Sequence, residues 1–411
     1  MTDGTPAPRQ QAPSRNEFIA LMAMMLATVA FSIDAMLPSL PEIGEALSPD
    51  NINRVQLVIT SFVLGMGMGT FLTGPLSDAL GRKPVIIGGA AVYIAAATVA
   101  AFSQRLEVLL LARLVQGFGA AGPRVVALAI IRDLYAGRGM AQIMSFVMMV
   151  FTLVPALAPT IGNGIIALAG WRAVFGAFVI FSLLSVTWLT IRLPETLPKE
   201  QRRPFQPAMI ASALREIFAH PVVRLSLVVQ TLTFGMMFAF LSSTQQIFDV
   251  TFGREDTFHL WFGGIAVCAS SASFLNAVLV VRLGMRFLVT TMLKVQVCLS
   301  GAMVVLLFAG LHGVPLFAVF VIWQTSIFFQ AGLSVGNLNA IAMEPMGHIA
   351  GMAASIIGAI STILAVVLAA PIGLAFDGTP LPLAIGVVIY AALALLTMLR
   401  LGKAEERLGT S

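Results

Sequence analysis

Residues 74–84 read GPLSDALGRKP, a polar stretch with one acid and two bases, and an apolar run lies on either side of it. Each run has roughly the 20 residues that a helix needs to cross a hydrocarbon core about 30 Å thick. Similar runs recur along the 411 residues, of which 58% are hydrophobic and 10% are charged. Because a soluble domain carries charge on about a quarter of its residues, the sequence predicts a polytopic helical membrane protein.

Apolar length and chain breakers predict an all-α membrane protein with twelve transmembrane helices in two six-helix bundles. The predicted spans are 17–40, 53–76, 84–103, 107–131, 141–168, 173–192, 222–247, 258–281, 287–309, 314–337, 349–374 and 381–400. The predicted domains are a disordered cytoplasmic tail at 1–16, the N-terminal bundle at 17–192, a cytoplasmic linker at 193–221, the C-terminal bundle at 222–401 and a cytoplasmic tail at 402–411. Within the linker, Ala208 to Ala219 are predicted to form a surface helix with Ile210, Leu214 and Phe218 on one face.

The distribution of lysine and arginine predicts the orientation of the chain. With a cytoplasmic N-terminus, the bases on the outer side are Arg54, Arg105, Arg172 and Arg254. Apart from two arginines inside spans, the rest of the 24 bases lie at or near the cytoplasmic side. This asymmetry follows the positive-inside rule, so both termini are predicted to be cytoplasmic.

A faint internal repeat accompanies the even number of spans. LSDALGRKP at 76–84 and LVVRLGMRF at 279–287 share two leucines and a glycine at the end of the second span of each half. Two six-helix halves related by an axis along the membrane normal form a transporter architecture, with the substrate near the midplane.

Two charged residues lie deep in predicted spans, where each costs about 2.5–3.5 kcal/mol. Asp34 is in the outer part of the first span and Arg113 lies at a similar depth in the fourth. An acid and a base facing one polar cavity can offset each other's desolvation, and an acid there can exchange a proton as its exposure changes. The alternatives are a fixed ion pair or surface acid for Asp34 and a tie between helices for Arg113. Arg124 is predicted either to line the cavity or to extend to the inner end.

Glycine and proline mark two further stretches. GFGAAGP at 117–123 has the small residues that let membrane helices approach closely. The fifth span carries Pro155, Pro159 and Gly162, which predict a hinge, with an ordinary kinked helix as the alternative.

The chain has 21 methionines and 28 phenylalanines but only 3 tyrosines. Flexible methionines and flat aromatic rings suit a surface that binds varied apolar ligands. The candidate substrate-binding residues are Met36, Phe151, Phe234, Met237, Phe238, Trp261 and Phe328. Packing in the core or against lipid is the alternative for each of them.

Several function classes are disfavoured by what the sequence lacks. Cys268 and Cys298 have no metal-ligand spacing and the four histidines are scattered, so no metal site is predicted. There is no GxxxxGK[ST] nucleotide loop and no nucleophile–base constellation, so neither a cofactor nor an enzyme is predicted. The net charge of +5 is assigned to membrane orientation, and no nucleic acid partner is expected.

These stretches together resemble a known family. GPLSDALGRKP resembles the loop signature of the major facilitator superfamily, and ARLVQGFGAAGPR, VPALAPTIGNG and GWRAVF resemble its fourth-span arginine motif, its fifth-span antiporter motif and the sequence that follows it in drug exporters. With IDAMLPSLPEI, IIRDLY and NLNAIAMEP, the set is similar to the Bcr/CflA branch of twelve-span drug:proton antiporters. The resemblance covers essentially the whole chain.

The resemblance implies roles for particular residues. Asp34 and Arg113 match the acid and arginine that couple protons to drug. Asp78 is expected to bond to the N-terminal end of a helix in the other half, and Arg82 to pair with Asp133. The implied cytoplasmic latch consists of Gly74, Asp78, Gly81, Arg82 and Asp133. The chain departs from the pattern in having Asn163 where many relatives have glycine, and in lacking a second acid in the first span.

The resemblance also implies a function. The expectation is a monomeric bacterial inner-membrane exporter of small, mostly apolar drugs, phenicol- or bicyclomycin-like, driven by the proton gradient without a cofactor. Its expected partners are these drugs, protons and membrane lipid. An alternative is a proton-coupled transporter of a native metabolite such as a sugar or amino acid, since Gln230, Gln324, Gln330, Asn337 and Asn339 lie in or near spans. A non-transporting receptor or assembly subunit would need neither the latch nor the deep acid.

Overall fold

The computed structural model describes residues 13–408, and within this range the chain is all helical, with fourteen α-helices and no strand. The predicted tail at 1–16 lies largely outside the described residues, but Arg15 and Asn16 belong to the first helix. That helix begins after Ser14, whose hydroxyl accepts a hydrogen bond from the Glu17 amide at 3.3 Å. Such a cap satisfies one of the free N–H groups at a helix start.

The helices fall into an N-terminal and a C-terminal group. The first group is α1 (Arg15–Asp34), α2 (Leu40–Leu47), α3 (Leu57–Leu80), α4 (Arg82–Ala101), α5 (Leu106–Leu134), α6 (Gly137–Ala169) and α7 (Arg172–Arg192). The second is α8 (Pro207–Ala219), α9 (Pro221–Gln246), α10 (Phe258–Leu283), α11 (Met285–Phe308), α12 (Gly313–Met343), α13 (Ala350–Leu374) and α14 (Leu381–Leu408). Helix α14 extends into the predicted tail at 402–411, whose last three residues lie outside the described range.

Among the described residues, 11 helical segments are long and apolar enough to cross a membrane. One of them, Gly313–Leu374, has 62 residues and contains both α12 and α13, which are joined by a tight turn at Glu344–Ile349. The all-helical architecture is therefore confirmed for the described residues, and the count of twelve spans stays a prediction.

The first predicted span, 17–40, is not one continuous helix. Helix α1 ends at Asp34, a tight turn follows at Leu37–Ser39, and the short α2 begins at Leu40. Pro38 explains the break, because proline has no N–H to donate and disfavours helical geometry in the residue before it. Asp34 consequently lies at a helix terminus.

The stretch GPLSDALGRKP is helical rather than a loop. Gly74 to Leu80 complete α3, and α4 begins at Arg82. Gly81 alone separates the two helices, with a φ of +103° that side chains disfavour. A Cβ on Gly81 would also lie 2.8 Å from the Glu195 carboxylate, at the end of a flexible side chain, so the positive φ is the reason that glycine is favoured here.

Two contacts join the N-terminal and C-terminal groups along their length, α3 against α13 and α6 against α10. We call the end of the molecule that carries the start of α1 and the α3–α4 junction the basic end, and the opposite end the far end. Gly74 lies at one of these contacts, near the basic end, where an added Cβ would approach Ser355 Oγ to 3.0 Å.

The predicted linker helix forms as α8, over Pro207–Ala219. Ile210, Ala213 and Ile217 are buried, whereas Phe218 is 44% exposed. Ile210 and Leu214 of the predicted face pack with residues of α9 and α13, and the place of Phe218 on that face stays a prediction.

Candidate functional site

Asp34, the last residue of α1, lies in an apolar environment. Its side chain is buried, with 5% of the residue exposed, and its neighbours Ala35 and Met36 are fully buried. Within residues 13–408 no hydrogen bond or ion pair joins its carboxyl group to another residue. A carboxylate buried without a partner is costly in its charged form, so burial favours the protonated form of Asp34.

Arg113 of α5 is fully buried and is held by backbone and amide oxygens. Its guanidinium donates to the Ser32 carbonyl at 3.0 Å, the Val58 carbonyl at 3.3 Å and Gln116 Oε1 at 2.8 Å. It also lies 4.4 Å from the ring centre of Phe62. Arg113 and Asp34 thus share a depth, since Ser32 is two residues from Asp34, but they form no ion pair in this conformation.

Tyr93 of α4 completes this cluster, and sequence reasoning did not find it. The hydroxyls of Tyr93 and Ser32 are 2.6 Å apart, and Ser32 Oγ donates to the Thr28 carbonyl at 2.6 Å. Because serine has one hydroxyl proton, Tyr93 is the donor to Ser32. Its signal in the sequence was a hydroxyl in the middle of an apolar span, which needs a partner.

Glycines let α3 and α5 approach closely beside Arg113. A Cβ added to Gly117 would lie 1.9 Å from the Phe62 carbonyl oxygen, and one added to Gly65 would lie 1.8 Å from that of Leu114. The two backbones are therefore in direct contact. This proximity lets Arg113 reach both the Val58 carbonyl and the Phe62 ring of α3.

Arg124 lies about two turns beyond Gly117 on α5 and does not extend to the basic end. Its Nη1 lies 3.4 Å from the sulfur of Met66 on α3. The structure therefore places this guanidinium between helices.

At the basic end, Arg82 binds two acids. Its Nε donates to Asp133 at 2.8 Å, and its Nη1 donates to Asp78 at 2.6 Å and to Ser77 Oγ at 2.7 Å. The predicted contact between Arg82 and Asp133 is thus present. The expected partner of Asp78 is different, because its carboxylate binds Arg82 and not a helix of the other group.

The start of α13 lies across a cavity from Asp78. Asp78, Arg82, Ala350 and Gly351 all line this cavity, which has a volume of about 430 Å³. The Asp78 side chain is 52% exposed. The carboxylate and the N-terminal end of α13 therefore face each other without contact.

Glu195 of the linker caps α4, which sequence reasoning did not predict. Its two carboxylate oxygens accept from the backbone amides of Arg82 at 2.9 Å and Lys83 at 3.0 Å. A carboxylate at a helix N-terminus satisfies free amides and complements the helix dipole. Glu195 thereby fixes the linker to the α3–α4 junction.

Replacing Glu195 with Ala should lower the stability of the protein by about 1 kcal/mol, because two amides of α4 lose their partner. The measurement is thermal unfolding of the purified protein in detergent. Glu200→Ala removes an exposed acid from the same linker and should leave the midpoint unchanged. Equal midpoints for the two variants would contradict the capping role.

At the far end, four polar side chains connect the two groups of helices, and we call them the amide cluster: Asn53, Gln56, Ser243 and Gln246. Gln246 donates to Asn53 at 2.7 Å, Ser243 donates to Gln56 at 3.1 Å, and the Gln56 amide donates to Gln246. Asn53 also donates to the carbonyls of Phe376 at 2.7 Å and Leu374 at 3.2 Å. Gln56, Ser243 and Gln246 are buried, so the far end is closed by uncharged hydrogen bonds.

Replacing Gln56 with Ala should let the far end open, because buried partners lose hydrogen bonds worth about 2 kcal/mol together. Spin labels on cysteines at the exposed positions Asp50 and Asp256, with Cys268 and Cys298 replaced by serine, measure the opening. We expect a new population at longer distance.

The matched control for this opening is Asn51→Ala, which removes an exposed amide from the same region. It should leave the distance distribution unchanged. A distribution that is also unchanged in Gln56→Ala would show that the amide cluster does not hold the far end closed.

The predicted hinge residues lie in α6, which is continuous through Pro155 and Pro159. Gly162 has a role that the pattern did not reveal: an added Cβ would lie 2.2 Å from the Ala35 carbonyl oxygen. Helix α6 therefore packs directly against the backbone next to Asp34.

The seven candidate substrate residues do not form one surface in this conformation. Met36 is fully buried in the core, Phe234 stacks on Phe238 at 5.7 Å, and Trp261 contacts Phe317 at 4.9 Å. These contacts fit the packing alternative.

Phe151 differs from these residues because it lines a cavity. The cavity lies between α6 and α10 and has a volume of about 1050 Å³. The two remaining candidates pack in the core. The ring centre of Phe328 lies 4.9 Å from that of Phe240 and 5.9 Å from that of Phe262, and Met237 is half-buried against the core.

Comparisons with known proteins add to this geometry. A family model described as Major Facilitator Superfamily matches residues 20–370. A bicyclomycin resistance protein homolog of Haemophilus influenzae is 30% identical, over 84% of this chain and 85% of that protein. A chloramphenicol resistance protein of Pseudomonas aeruginosa is 34% identical over 41% of this chain and 40% of that protein.

A solved structure shows the same fold. The crystal structure of a D-xylose–proton symporter superposes with a TM-score of 0.72, covering 93% of this chain and 97% of that one. At 15% identity this likeness is evidence for the fold alone.

Proposed function

The chain belongs to the Major Facilitator Superfamily, so it is a membrane transporter and not an enzyme, and we propose that it exports small, mostly apolar drugs in exchange for protons. The proposed substrates are phenicol- or bicyclomycin-like. The protein would act in the bacterial inner membrane as twelve spans in two halves, with the basic end in the cytoplasm. The resistance proteins among its relatives support drugs as the cargo.

The observation that carries the proposal is the buried, unpartnered carboxyl group of Asp34. When the path to it faces outside, Asp34 takes up a proton and drug leaves; when the path faces the cytoplasm, proton release and drug binding accompany each other. One charge moving inward is worth about 2.3 kcal/mol per 100 mV of potential. Binding that differs between the two conformations converts this energy into transport.

Arg113 has a positioning role in this proposal. It binds the carbonyl of Ser32, and Tyr93 binds the Ser32 hydroxyl, so together they hold the end of α1 that carries Asp34. Because the guanidinium forms no ion pair with Asp34, it is available as a counter-charge when a change of conformation brings the two groups together.

The two ends of the molecule support alternating access. At the far end, the amide cluster joins the halves, whereas at the basic end Asp78 is separated from α13 by a cavity of about 430 Å³. We infer that this conformation faces the cytoplasm. In the opposite conformation Asp78 would reach the N-terminal end of α13, where a carboxylate is stabilised, and act as the latch.

Export of labelled chloramphenicol from cells, with and without a protonophore, tests the proposal. Cells that make the protein should accumulate less drug, and the protonophore should remove the difference. Export that continues unchanged with the protonophore would exclude proton coupling. Absence of export across a drug panel would instead favour a native metabolite.

A further inference from the structure

The cavity between α6 and α10 lies where the two halves meet. At the end of the cavity that points toward the far end, the two helices are in contact: a Cβ added to Gly263 would lie 2.8 Å from the Ala156 carbonyl oxygen. From this contact toward the basic end they enclose about 1050 Å³. This volume is slightly above the range of about 300–1000 Å³ found for small-molecule sites, so the cavity is large enough for one. We call the cavity the methionine cleft, after the residues described next.

Methionines line the α6 wall of the cleft. Met140, Met144 and Met148 recur every four residues, which places them on one face of the helix, and Phe151 continues that face. Each of these side chains is half-buried and packs on its inner side against the core of the N-terminal half. Methionine side chains are flexible and polarisable, so such a wall adapts to ligands of different shape.

The α10 wall supplies hydroxyl groups and apolar surface. Val267, Ser270, Ser273 and Phe274 line it. Ser270 Oγ donates to the Val267 carbonyl at 2.6 Å, so its lone pairs are left to accept a hydrogen bond. A ligand with a hydroxyl or amide N–H would find an acceptor there.

The cleft has no charged wall and opens toward lipid. None of the residues that line it is acidic, basic or histidine. At its mouth Leu153 is 53% exposed and Phe274 is 76% exposed, on helices that are long and apolar enough to span a membrane. An ion placed here would lose its hydration without gaining a counter-charge, so the walls favour uncharged ligands that dissolve in lipid.

We propose that the methionine cleft is a binding site for uncharged, lipid-soluble drugs that carry at least one hydrogen-bond donor. This inference rests on the proposed function and names the substrate class. Helix α6 links the cleft to the proton site, because Gly162, about 16 Å further along the helix from Phe151 at 1.5 Å per residue, packs on the backbone beside Asp34. A drug that displaces α6 therefore acts on the surroundings of Asp34.

The test compares chloramphenicol binding and export in a double variant, Met144→Gln with Met148→Gln, reconstituted in lipid. Binding should weaken about tenfold, because part of two apolar contact surfaces is lost. Export at low drug concentration should fall with the affinity. Met68→Gln, at an exposed methionine of α3 away from the cleft, is the matched control and should bind as the unchanged protein does.

A second experiment tests whether the uncharged walls select uncharged ligands. Ser273→Asp places an acid in the neutral wall, and it should weaken chloramphenicol binding while creating binding of the cation ethidium. Ser273→Ala controls for loss of the hydroxyl and should not bind ethidium.

The outcomes separate the two proposals. Unchanged chloramphenicol binding in the double variant, with export intact, would overturn the cleft as a drug site and leave the proposed function standing. Bound phospholipid lost from the double variant in native mass spectrometry, with drug binding unaltered, would show that the cleft holds lipid and would also overturn it. If the unaltered protein neither binds nor exports any drug in a panel, the proposed function itself fails.

Discussion

Asp34→Asn will abolish proton-driven export while leaving drug binding in place. The substitution replaces a buried, unpartnered carboxyl group that can release a proton with an amide of nearly the same size that cannot. In proteoliposomes with an imposed pH gradient, drug transport should fall to the level of empty vesicles. Exchange of drug for drug across the membrane, which needs no net proton movement, should continue.

The pH dependence of drug binding gives a second readout for Asp34. In the unaltered protein, drug affinity should change with pH, because proton release and drug binding accompany each other. In Asp34→Asn the affinity should be the same across that range. Asp50→Asn, at an exposed acid of the far end, is the control and should retain both transport and pH dependence. Gradient-driven pumping by Asp34→Asn would falsify the coupling role.

Gly117→Ala is expected to have the largest effect on stability. Its new methyl group would lie 1.9 Å from the Phe62 carbonyl oxygen, whereas a carbon and an oxygen in contact are about 3.3–3.6 Å apart. Helices α3 and α5 must then separate, and overpacking of this kind costs about 3 kcal/mol. The unfolding midpoint in detergent should fall by several degrees.

The same separation should impair transport, because Arg113 would lose its contacts with the Val58 carbonyl and the Phe62 ring. Gly88→Ala is the matched control: it is also inside a helix, but nothing lies within 4 Å of the added methyl group. Alanine is the better helix former by about 1 kcal/mol, so this variant should be at least as stable as the original. A midpoint for Gly117→Ala equal to that of Gly88→Ala would show that the close contact of α3 and α5 is not needed.

The residues of GPLSDALGRKP show which contacts could be predicted from the sequence and which could not. The stretch marked the boundary between two predicted spans, and its resemblance to the family signature implied a contact between Arg82 and Asp133; both are present. It did not predict that Glu195 caps α4, since 113 positions along the chain separate Glu195 from Arg82. Nor did it predict the partner of Asp78, because that partner depends on which conformation the two halves adopt.

Only part of the candidate site could be predicted. A charged residue inside an apolar run can be recognised from the sequence alone, so Asp34 and Arg113 were identified. Their partners were not visible: Ser32, Tyr93 and Gln116 are polar groups of ordinary kinds, and the amide cluster joins residues from opposite halves. The aromatic candidates were the least predictable. The sequence looks the same whether an apolar side chain faces the protein core, the lipid or a ligand.

By itself the sequence determined that this chain is a helical membrane protein, where most of its helices begin within a few residues, and which side chains carry charge into them. These are local properties. To cross a bilayer, a segment of about 20 residues must be apolar and must form its backbone hydrogen bonds within itself. Only the tertiary structure decided that Asp34 has no partner, that α3 and α5 touch through glycines, and that methionines of α6 face the serines of α10 across a cleft. Those features arise where segments distant in the chain pack together. In lipid such packing depends on shape and on a few hydrogen bonds, and neither can be read from the sequence of one apolar segment.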